Sequence, residues 1–177
     1  MRTIHADAGR DALFARHRSD LGREAVKPVL AQKLADDDTT LFSEGACHVF
    51  ADELYERLAI KGFTFRRLAD KSMVSRQGAA LHVYLGRGER FVDVNGLHTE
   101  RDLIQEMQTH RLPWVSDLQP IECTRGELFT PVPELNDSEH GVRNQWGLYL
   151  DIEFVEACRK RASQLILCQS EIYIPRD

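Results

Sequence analysis

Three residue types that together activate a thiol follow one another along this chain: Cys47, then His82, then Asp93. They sit in Ser43-Glu44-Gly45-Ala46-Cys47-His48-Val49-Phe50-Ala51, Leu81-His82-Val83-Tyr84 and Phe91-Val92-Asp93-Val94-Asn95-Gly96. A cysteine attacks as its thiolate, so a catalytic one needs a lowered pKa and a reachable sulfur. The first turn of a helix supplies both, because backbone N–H groups there lack intrahelical partners and favour negative charge. Small Gly45 and Ala46 leave room for a carbonyl to approach, and the N–H of Cys47 can then serve an oxyanion. A histidine must hydrogen-bond the sulfur and protonate the leaving group, while a carboxylate behind it fixes the ring tautomer.

The surrounding pattern supplies elements for these roles. Cys47, Phe50, Ala51, Leu54, Tyr55 and Leu58 recur at steps of three and four, which predicts a helix over 45–58 whose buried stripe begins at the cysteine. Lys61-Gly62 closes it. Alternation predicts strands over 63–68, 80–85 and 90–94, with a turn at Gly86-Arg87-Gly88-Glu89 joining the last two. A hairpin centred between Arg87 and Gly88 sets His82 directly opposite Asp93, with both side chains on one face. Thr99 and Asp102 predict the start of a helix over 100–110. Further strand character lies at 119–124 and a helix at 151–165, with a closing strand or tail after it. Thr130 to Gly147, with two prolines and many polar residues, reads as a long loop.

Helix-borne Cys, strand-borne His, then Asp on the next strand resembles the transglutaminase-like branch of the papain-like cysteine enzymes. More narrowly, Gly45-Ala46-Cys47-His48-Val49-Phe50-Ala51, His82-Val83-Tyr84 and Asp93-Val94-Asn95-Gly96 resemble small uncharacterised bacterial and phage proteins with a G-x-C-H-x-F-A … H-V … D-x-x-G pattern. The similarity covers about Ser43 to Met107. It implies Cys47 as nucleophile, His82 as base and Asp93 as orienting acid. His48 stands where many members carry Trp or Tyr. No Gln precedes Cys47 at short range to complete an oxyanion hole, which leaves Ser43, Thr40, Asn144 or Gln145 as substitutes.

Plainer readings compete. Cys47 alone fits a buried core cysteine, and His48 a satisfied helix histidine. Cys47, His48, His82, Asp93 and His98 match no compact zinc spacing. Cys123, Cys158 and Cys168 have no neighbouring histidine and read as structural thiols. With four cysteines, no CxxC pair and no signal-like N-terminal run, the expected setting is cytoplasmic, although a protein exported without a classical signal would look the same.

At 177 residues, 42% hydrophobic and 29% charged, the chain fits one domain with a real core. Its net charge of −5 gives no basic surplus for nucleic acid, and no run is of membrane-spanning length. Within that domain, residues 1–38 read as an N-terminal helical arm, 43–110 as a catalytic-type core and 111–177 as a loop-rich part with helix 151–165. Asp36 to Thr40 forms a polar break between arm and core. The expectation is an α+β fold with a papain/transglutaminase-like core, its Cys-bearing helix packed on a small antiparallel sheet. The expected function is cysteine-dependent acyl transfer (peptidase, amidase, deamidase or transglutaminase-type) on a protein or small amide or ester substrate. No cofactor or metal is required. The rival expectation is a non-catalytic interaction protein of phage or mobile-element type that keeps the fold; oligomeric state is open.

Overall fold

A computed structural model describes residues 32–70, 80–111, 117–131, 141–144 and 149–174. The helices expected over residues 7–33 lie outside these, apart from a helical turn over residues 32–35.

The polar break expected at Asp36 to Thr40 is in fact a helix start. Asp37 accepts the N–H of Thr40 at 3.0 Å and opens α1 (Asp38–Glu44). Of the acids that read as a loop, Asp37 is the cap and Asp38 lies in the first turn, and the short helix buries Leu41 and Phe42 behind them. One turn later α2 (Cys47–Leu58) begins, and a 3-10 turn ending at Gly62 (φ 77°) closes it. There follow β1 (Thr64–Asp70), β2 (Ala80–Arg87), β3 (Arg90–Asp93) and β4 (Gly96–Thr99). The fourth of these, β4, falls between the expected strand over 90–94 and the expected helix over 100–110, where the sequence pattern predicts no strand. Thr99 caps α3 (Glu100–Glu106) as expected, and a π-helical turn, Met107–Arg111, completes that segment.

β5 (Leu118–Glu122) joins the sheet, giving the order β4-β3-β2-β1-β5, antiparallel throughout. After α4 (Arg125–Leu128), the stretch expected to be a long loop contains β6 (Phe129–Pro131) and β7 (Gly141–Asn144). With β8 (Tyr149–Asp151) they form a second, three-stranded antiparallel sheet. α5 (Ile152–Cys168) runs through the residues expected to begin a closing strand, and α6 (Ser170–Tyr173) replaces the rest of it. The apolar run at 165–168 continues the stripe of Phe154, Val155, Cys158, Ala162 and Ile166, so helical periodicity wins there.

Alternation along the strands divides the core between the two faces of the main sheet. Val83, Leu85 and Val92 pack with Val49, Phe50 and Leu54 of α2 and with Cys158 and Ile166 of α5. Tyr84, Phe91 and Leu68 pack with Leu103 and Met107 on the other face. The fold is thus α+β, with a helix that begins at Cys47 lying against an antiparallel sheet.

The β2–β3 register differs from expectation by two residues. Arg87 pairs with Arg90, so the two-residue turn is Gly88-Glu89, with Gly88 at φ 59°. Such turns need a positive φ, and Gly88 supplies it. Gly86 does other work inside the strand: a Cβ there would lie 2.5 Å from the Arg66 side chain, so its bareness makes room for that arginine. Continued inward, this register sets Asp93 opposite Tyr84 rather than opposite His82. His82 and Asp93 are diagonal neighbours, two residues out of step but still on one face.

Candidate active site

Ala46 is the N-cap of α2 and makes no side-chain cap hydrogen bond, and the first turn of the helix carries no acid. A Ser or Asp at that position would stabilise the helix by about 1 kcal/mol. The N–H groups at the helix start thus face no competing side-chain acceptor from the cap. Cys47 is the first residue of this helix.

His82 pairs with Leu68, and the register shifts between Leu68 and Ala69. By strict alternation His82 shares the face of Tyr84, whose ring stacks on it at 6.1 Å, whereas Cys47 belongs to the core cluster on the α2 side. An irregularity of this kind re-aims a side chain from its regular position. His82 and Cys47 are close enough for each to shift the ionisation of the other. Burial opposes ionisation of the thiol most strongly, but hydrogen bonding with His48 and His82, and the charges of both rings, outweigh it. The Cys47 pKa falls from its ordinary 9.0 to about 6. By contrast, burial raises Cys123 to about 11 and Cys158 to about 12.

The far side of the ring is held by Asp93, whose Oδ2 lies 2.9 Å from His82 Nε2. Burial draws the imidazole pKa down. The hydrogen bond to Asp93, the interaction with Cys47 and the negative charges of both more than offset this, bringing His82 up to about 10. Nδ1 is buried without a hydrogen bond of ordinary geometry among the described residues. A ring anchored at Nε2 and open at Nδ1 has the arrangement a proton shuttle needs.

Asp93 is placed by its turn. Its Oδ1 accepts the N–H of Asn95 at 2.8 Å, and Gly96 follows at φ 103°. The Tyr173 hydroxyl of α6 donates to the carbonyl of Val94 at 3.0 Å, tying the C-terminal helix to the same turn. This brace is not legible in the sequence, because the residues around Tyr173 read as a closing strand or tail rather than a helix.

Cys47 and His82 are each 2% exposed and Asp93 4%. A small cleft reaches the pair from the side of α3, lined by Ser43, His82, Asp93, Asn95, Leu103, Glu106 and Met107, with space for about one water molecule. Cys47 does not line it. The reachable sulfur expected from sequence is thus a covered one, and a substrate must displace side chains to touch it.

The remaining candidates fall elsewhere. His98 lies on β4 and bonds the carbonyl of Asn95 through Nε2. His48 is fully buried beside Cys47. Thr40 is engaged by its own cap, its hydroxyl bonded to Asp37 at 2.8 Å. The side chains of Asn144 and Gln145 lie outside those described. No group of three or more His, Cys, Asp and Glu among the described residues is arranged to hold a metal ion. No helix of the described residues is long and apolar enough to cross a membrane. Comparison with protein families, with characterised proteins and with solved structures finds no match.

Proposed function

We propose that this protein is a cysteine-dependent acyl-transfer enzyme with a papain/transglutaminase-like core, acting in the cytoplasm on a protein or small amide or ester substrate. The observation that carries the reading is a thiol at an uncapped helix start, interacting with a histidine whose far nitrogen is bonded to a buried carboxylate. The thiolate of Cys47 attacks the carbonyl carbon, and the C=O electron pair moves onto oxygen. Collapse of that adduct expels the amine or alcohol, which takes a proton from His82. A thioester remains at Cys47. Water, or an amine in a transferase, attacks it with His82 now accepting the proton, and the thiolate is restored. Asp93 keeps the ring oriented through both half-reactions.

A panel of amide and ester substrates tested against wild type and Cys47→Ala is the direct test. Turnover lost in the variant supports the reading, and turnover equal in both ends it. Burial of Cys47 favours the rival reading of a non-catalytic interaction protein, in which the same residues are a fold's inheritance. In that case iodoacetamide at pH 6 labels native Cys47 no faster than a free thiol.

A further inference from the structure

We infer that Ser43 is a catalytic hydrogen-bond donor, its hydroxyl stabilising the oxygen that becomes negative when Cys47 attacks an acyl substrate. The inference rests on the acyl-transfer reading above and assigns a residue that reading leaves unnamed.

Ser43 is 6% exposed, and its Oγ is buried with no hydrogen-bond partner among the described residues. A hydroxyl in that state is unfavourable unless an acceptor arrives, since burial has removed its water and nothing replaces it. Ser43 is one of the residues lining the cleft that reaches His82 and Asp93. Of the residues lining that cleft, Ser43 carries a buried hydroxyl that lacks such a bond, and His82 Nδ1 is the ring nitrogen not taken by Asp93. One is a donor that needs an acceptor and the other a nitrogen that handles a proton. An acyl group with its oxygen toward Ser43 and its leaving group toward His82 satisfies both.

Chain geometry agrees. Ser43 lies in the last turn of α1, and Gly45 and Ala46 carry the backbone from it directly to Cys47. As the sulfur–carbon bond forms, the electron pair displaced onto oxygen meets the Cys47 N–H on one side and the Ser43 O–H on the other. When the adduct collapses, the pair returns to the carbonyl and both donors relax, so Ser43 neither gives up nor gains a proton overall. Thr40, another hydroxyl nearby in sequence, is held in its cap.

The test compares two reactions of the same sulfur. Alkylation by iodoacetamide develops no oxyanion, whereas acylation by p-nitrophenyl acetate does. In Ser43→Ala, acylation of the full-length protein, read as p-nitrophenolate release and thioester mass, should slow by about tenfold to a hundredfold. Alkylation at pH 6 should be unchanged. Ser43→Thr, which keeps a hydroxyl, should recover part of the acylation rate. The melting temperature of Ser43→Ala should equal or exceed that of wild type, because an unsatisfied group has been removed; a structural hydroxyl would lower it. Equal acylation in Ser43→Ala and wild type overturns the assignment, as does a parallel loss of both reactions. If wild-type Cys47 is neither acylated nor rapidly alkylated, the acyl-transfer reading itself falls and takes the assignment with it.

Discussion

The Asp93 carboxylate is divided between two partners: Oδ2 lies 2.9 Å from His82 Nε2, and Oδ1 accepts the N–H of Asn95 at 2.8 Å. The backbone therefore fixes the acid and the acid fixes the ring. Asp93→Asn preserves shape but removes the charge that raises His82. The imidazole pKa should fall, and iodoacetamide labelling of Cys47 at pH 6 should slow by about tenfold or more, because a neutral ring no longer stabilises the thiolate. NMR titration of the His82 ring, read beside the labelling rate, checks both halves. An unmoved labelling rate would remove Asp93 from the site.

Cys47 near 6 and His82 near 10 together define a thiolate–imidazolium pair between about pH 6 and about pH 10. Alkylation of Cys47 should rise through about pH 6, well below the ordinary thiol value of 9.0. The same pair has a stability signature. The depressed thiol contributes stability that is complete above 9.0 and lost as pH falls through about 6. The raised imidazole contributes stability that is complete below 6.5 and lost as pH rises through about 10. Across the overlap the two slopes oppose each other, since an ion pair and its neutral counterpart bind the same number of protons. Wild-type stability should therefore be nearly level in this respect between about pH 6.5 and 9. Cys47→Ala removes the rising contribution, so its stability relative to wild type should fall across that window. Urea unfolding of both proteins at several pH values settles the sign.

The order Cys47, His82, Asp93 and the helix carrying the first of them were legible because helical and strand periods are strong over those runs. The hairpin register was not. Two glycines, Gly86 and Gly88, both signalled a turn, and only the fold assigns one to the turn and the other to the space taken by Arg66. The pairing of His82 with Asp93 survived because a shift that preserves parity keeps both on one face. α1 was hidden because Asp36 to Asp38 look like a linker until Asp37 is recognised as a cap. β4 was hidden because four residues after a tight turn give too short a pattern. Burial of Cys47 and the orphaned Ser43 hydroxyl are products of tertiary packing, which no local pattern encodes.

Five residues beyond Cys47 on the same helix, Asp52 is 1% exposed and held by two arginines. Its Oδ2 lies 3.1 Å from Arg125 and 3.0 Å from Arg159, joining α2 to α4 and α5. Asp52→Ala leaves two guanidinium groups facing a buried gap. Because both arginines are nearly half exposed in their side chains and can turn to water, the loss should be about 2 kcal/mol rather than the larger figure for a fully buried pair. Denaturant unfolding measures it. The pH dependence of Cys47 alkylation should stay at the wild-type position, which separates support of the fold from tuning of the site.

The turn behind Asp93 offers a sharper separation. Gly96 has φ 103°, and a Cβ added there would lie 3.2 Å from the carbonyl oxygen of Ile172 on α6. Gly96→Ala therefore meets both backbone strain and a close contact, and should cost about 2 kcal/mol. Relief requires the turn or α6 to move, and Asp93 is bonded to that turn through Asn95, so Cys47 labelling should slow as well. Tyr173→Phe removes the hydroxyl bonded to Val94 without strain, at about 1 kcal/mol. Gly88→Ala supplies the control: its φ of 59° also disfavours a side chain, but a Cβ there meets nothing within 4 Å. It should lose about 1 kcal/mol of stability and leave Cys47 labelling untouched. If Gly88→Ala and Gly96→Ala lower labelling equally, the effect is general destabilisation and the brace from α6 to Asp93 has no bearing on the thiol.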